Sequence, residues 1–149
     1  MKSLNIARRN FKAILVITMV MTFSGLFFAL AFEPFHPHVI INGLSIGFLI
    51  GIFISLAEVF FFQTVGKWLS FSNLLFARTF FYSVVIAASI LSVVIIHETL
   101  MSSISIVQVL ELKEFKEFFT NGHFYRIFAF AILISFLINF FRQVNKLLG

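Results

Sequence analysis

Few residues in this 149-residue chain could do chemistry, and most of those lie in or beside long apolar runs. Glu58 and Arg78 are ionisable groups inside such runs. A lone charge at that depth costs about 3 kcal/mol on insertion scales, so intramembrane charges usually pair. The two lie at matching depth from the same end of neighbouring runs. That predicts an ion pair holding two helices in register; the sharper alternative is a switch or a proton-linked carboxylate. Asn139, in the last apolar run, falls at a similar depth and could hydrogen-bond either one. His36, His38, His97 and His123 all fall at run ends, together with Glu33 and Glu98. Imidazole and carboxylate can bind zinc or copper, or report pH between about 5 and 8. The plainer alternative is four unrelated interfacial histidines. A haem held between two histidines fits poorly, because no histidine sits mid-run.

A third pattern concerns packing. Gly43, Gly47 and Gly51 recur at four-residue spacing, and Ser55 continues the series. On a helix this makes a face of small residues that lets another helix approach closely. The face serves either packing within one chain or a dimer seam. No glycine-rich phosphate loop or nucleophile motif is present, and the chain has no Asp, which argues against a two-metal phosphoryl-transfer site in these residues. It has no Cys, so disulfides and thiolate metal sites are excluded.

The elements that must position these residues follow from composition. The chain is 60% hydrophobic and 11% charged, and it carries 24 Phe. That belongs to the membrane class, where about 20 apolar residues cross the hydrocarbon layer. Four spans are predicted, at about 13–32, 39–62, 73–96 and 124–141, as an all-α four-helix transmembrane bundle forming one domain. The first is a span and not a cleaved signal peptide. Pro34 and Pro37 separate spans one and two, and Gly66-Lys67-Trp68 lies in the next loop. Lys2, Arg8, Arg9, Lys12, Lys67, Arg78, Arg142 and Lys146 fall on one side, against Lys113, Lys116 and Arg126 on the other. The positive-inside rule then puts both termini in the cytoplasm. Trp68 suits the inner headgroup belt and Tyr125 the outer one. The net charge of +5 gathers at membrane edges and makes no nucleic-acid stripe. Leu112 to Phe119 carries apolar residues at 112, 115, 118 and 119 with charges between, which predicts a short amphipathic outer helix stopped at Asn121-Gly122. Its apolar face goes either to lipid or to the spans.

The last span runs into Arg142-Gln143-Val144-Asn145-Lys146-Leu147-Leu148-Gly149, a polar stem. The segment from Ile138 to Gly149 resembles the link between a four-span membrane region and the catalytic domain of certain bacterial class III adenylate/guanylate cyclases. Weaker echoes are Gly47-Phe-Leu-Ile-Gly51 followed by Glu58, and Arg78-Thr-Phe-Phe-Tyr82. The resemblance covers the last dozen residues best and the spans only loosely. It implies a membrane anchor and sensor region in the bacterial inner membrane, with a cytoplasmic catalytic domain after Gly149. That domain would work as a homodimer on ATP or GTP with Mg or Mn, through two metal-binding aspartates that have no counterpart here. Arg142, Gln143, Asn145 and Lys146 would form the signal stem, and the outer histidines a sensing face. The rivals are a small four-span transporter and a metal- or haem-binding membrane bundle. Small multidrug-type exporters have this size, but their coupling carboxylate lies in the first span, which has none here.

Overall fold

The computed structural model describes residues 2–149, apart from the side chains of Lys2, His123 and Ile134. The described residues form helices α1 (Lys2–Phe32), α2 (Pro37–Leu56), a π-helical turn (Ala57–Phe62), α3 (Gln63–Val65), α4 (Phe71–Ser102), α5 (Ile106–Glu111), α6 (Lys113–Thr120) and α7 (His123–Leu148), with no strand among them. Four stretches are long and apolar enough to cross a membrane: Ser3–Phe32, Pro37–Val65, Phe71–Ser102 and Phe124–Leu148.

The helices outrun the expected spans. α1 starts at Lys2 and not near Ala13, because no Gly or Pro interrupts its polar first turns. It ends at Phe32, just before Glu33, whose helical conformation Pro34 disfavours. Pro37 then opens α2 at a position where its missing N–H is no loss. α4 continues past Ile96 to Ser102, so His97 and Glu98 lie inside a helix. It stops where Ser103 turns left-handed, with φ 53°. α5 has no counterpart among the elements expected from the sequence. Its start is a capping box: the Gln108 N–H donates to the Ser105 hydroxyl, and the Ser105 N–H donates to the Gln108 side chain. α6 falls where the amphipathic helix is expected. Gly122, at φ 71°, makes the left-handed turn into α7.

The chain divides into two compact units, Met1–Ser70 and Phe71–Gly149. In the first, α1 and α2 pack along their lengths as an antiparallel pair. In the second, Phe71 stacks edge-on against Phe140 at 6.3 Å, so the start of α4 meets the end of α7. α4 buries one face there, formed by Leu75, Arg78, Tyr82, Val85, Ile86, Ser89, Ile90 and Val93.

Candidate functional site

Within the first unit, the small-residue face of α2 lies directly on α1. A Cβ added at Gly47 would run into the Met21 carbonyl and come within 2.9 Å of Thr22 Cα. One at Gly51 would lie 2.7 Å from Thr18 Cα, and one at Gly43 would lie 2.7 Å from Ala29 Cβ. Gly25 of α1 answers them, since its own Cβ would meet the Gly43 carbonyl and lie 2.7 Å from Gly47 Cα. These distances are far below van der Waals contact, so the two backbones touch where side chains would normally stand. The α1 half of the seam, Thr18, Thr22, Gly25 and Ala29, is not among the residues singled out from the sequence, although Gly25-x-x-x-Ala29 repeats the small-residue spacing. Ser55 closes the seam: it is fully buried, donates to the Ile52 carbonyl at 2.9 Å, and lies 3.5 Å from the Thr18 hydroxyl.

Glu58 follows in the π-helical turn. There the Gln63 N–H reaches back to the Glu58 carbonyl, a bond one residue longer than in an α-helix. The series 43, 47, 51, 55 would continue to Val59. The wider turn brings Glu58, Val59 and Phe62 together onto the buried side, and Glu58 is only 2% exposed. Nothing in the composition of Ala57–Phe62 announces this turn, which depends on one residue's worth of register.

The second unit carries the other buried polar groups. Arg78 is 2% exposed on the inward face of α4, with Tyr82 and Ser89 further along that face. On α7, Ser135, Asn139 and Gln143 are buried four residues apart, which puts them on one face. Gln143 locks that face to α4: its amide nitrogen donates to the Phe71 carbonyl at 2.9 Å, and its oxygen accepts from the Leu75 N–H at 3.2 Å. The sequence alone puts Gln143 in a polar stem. It is buried because one residue in four on a helix faces its packing partner, whatever its polarity. Arg142, Asn145 and Lys146 are exposed, on the side of α7 that also presents Leu137, Ile138 and Phe141.

The remaining candidate residues gather less tightly. The His36 and His38 rings stack nearly parallel, with centroids 6.0 Å apart, around the first turn of α2. Among the described residues no group of three His, Asp or Glu is placed to hold a metal ion. The side chain of His123 lies outside the described residues. α6 turns its apolar face to α7, with Phe118 and Phe119 packing on the buried Phe124 at 5.7 and 5.1 Å. Phe128 extends the cluster, stacked on Phe124 at 5.7 Å. Lys113 and Glu117 pair at 3.4 Å on the opposite, exposed side. Trp68 and Tyr125 are both exposed, as headgroup-belt residues would be.

Four helices with the length and composition of spans define a multi-pass membrane protein. No family model matches the chain, and no curated protein or solved structure does either.

Proposed function

We propose that this chain is the membrane anchor and sensory region of a class III adenylate/guanylate cyclase, working as a homodimer in the bacterial inner membrane with both termini in the cytoplasm. The reading rests on the resemblance of the segment from Ile138 to Gly149. The observation that carries it is that this segment belongs to one uninterrupted helix, α7, which includes both the fourth span and Arg142–Leu148. A helix without Pro or Gly from His123 to Leu148 moves as a rod. A displacement at its first turns therefore reaches its last ones. The aromatic packing of α6 on Phe124 gives those first turns a grip on the opposite membrane face. In this reading the α6–α7 corner receives a signal, and the exposed Arg142, Asn145 and Lys146 pass it to the catalytic dimer.

The test is a fusion. A class III catalytic domain joined after Gly149 is expected to form cyclic nucleotide in membranes. Inserting two alanines between Val144 and Asn145 rotates everything beyond by about 200°. Activity should fall while the amount of membrane-bound protein stays the same. Activity indifferent to the insertion would reduce the chain to a plain anchor. A catalytic domain that is active alone but silent in the fusion would overturn the proposal.

A further inference from the structure

The Gln143 bonds fix the register of α4 against α7. One turn back along α7 from Gln143 is Asn139, and one turn forward along α4 from Leu75 is Thr79. The two residues therefore share a level of the seam. Asn139 is 1% exposed, and neither its Oδ1 nor its Nδ2 has a hydrogen-bond partner among the described residues. Thr79 Oγ1 is buried without one as well. Buried amides and hydroxyls are almost always satisfied, by protein or by ordered water. A stretch that spans a membrane makes the alternative worse, because hydrocarbon offers no partner.

We propose that this level of the α4–α7 seam is an internal hydration site, in which water bridges the Asn139 amide and the Thr79 hydroxyl. The chemistry of the donor set selects water over other small ligands. The Asn139 amide presents two donors and one acceptor, and the Thr79 hydroxyl presents both. An anion would satisfy the donors and strand Asn139 Oδ1. A metal ion would satisfy the oxygens and strand Nδ2. Only a molecule that donates and accepts completes both ends, and buried waters typically bridge polar groups in this way. Ser135, one turn further back on α7, is also buried and continues the polar column on that face.

The site is tested on the full chain, labelled with ¹⁵N-asparagine in phosphatidylcholine nanodiscs, by magnetisation transfer from water to the Asn139 side-chain NH2. Its signal is assigned by its disappearance in Asn139→Leu. A cross-peak of the sign given by long-lived bound water is expected in the unsubstituted protein. It should be lost in Thr79→Val and kept in Thr79→Ser, which retains the hydroxyl. Absence of the cross-peak from the unsubstituted protein would overturn the site, whether or not any variant folds. A cross-peak that survives Thr79→Val unchanged would overturn it too.

Discussion

The two helical pairs of this molecule are held by opposite means. α1 and α2 meet through missing side chains: Gly25, Gly43, Gly47 and Gly51 let backbone lie on backbone. α4 and α7 meet through side chains, several of them polar, with Gln143 reaching the α4 backbone and Asn139, Ser135, Arg78 and Tyr82 buried along the facing surfaces. Lipid tails are as apolar as leucine, so neither pair can rely on the hydrophobic effect that would join them in water. One pair gains dispersion contact through close approach. The other gains hydrogen bonds and the register that comes with them. A glycine seam tolerates no added volume, and a polar seam tolerates no unmatched partner.

The largest effect is expected at Arg78. Arg78→Ala should destabilise the protein by about 3–5 kcal/mol if, as the sequence predicts, Arg78 neutralises Glu58, because a single buried charge is then left behind. Glu58→Gln in the same chain should recover most of that loss in a detergent-unfolding titration. Equal losses in the single and double variants would show that Arg78 is held by other groups. Next comes Gly47→Leu, which forces the side chain into the Met21 carbonyl and the Thr22 backbone. Overpacking of this kind costs about 1–3 kcal/mol, occasionally more. Unchanged thermal stability would mean that the two backbones are not in contact. Gln143→Leu should cost about 1 kcal/mol, since Phe71 and Leu75 can still bond each other within α4. A loss as large as that of Gly47→Leu would erase the contrast between the seams. Lys113→Ala removes an exposed i,i+4 pair and should change stability by less than about 0.5 kcal/mol.

Much of this architecture is legible in the residues. The four spans, the outer helix over 112–119 and the glycine face all follow from periodicity, which is a local property. The features that are not legible depend on register between helices. Gln143 looks like a stem residue until α4 is laid beside it. Glu58 sits in an ordinary apolar helix until a π-turn swings it to the buried side. Asn139 can be placed by depth, but its level with Thr79 comes only from the Gln143 bonds. α5 is a different case: Ser105 and Gln108 carry a local capping signal, easily passed over ahead of so short an apolar run.

The claim that α7 links a membrane anchor to a cyclase is tested most directly by reading the coding sequence past Gly149. It should continue in frame into a class III catalytic domain bearing two metal-binding aspartates. A stop codon after Gly149, or an unrelated domain in that place, would contradict it.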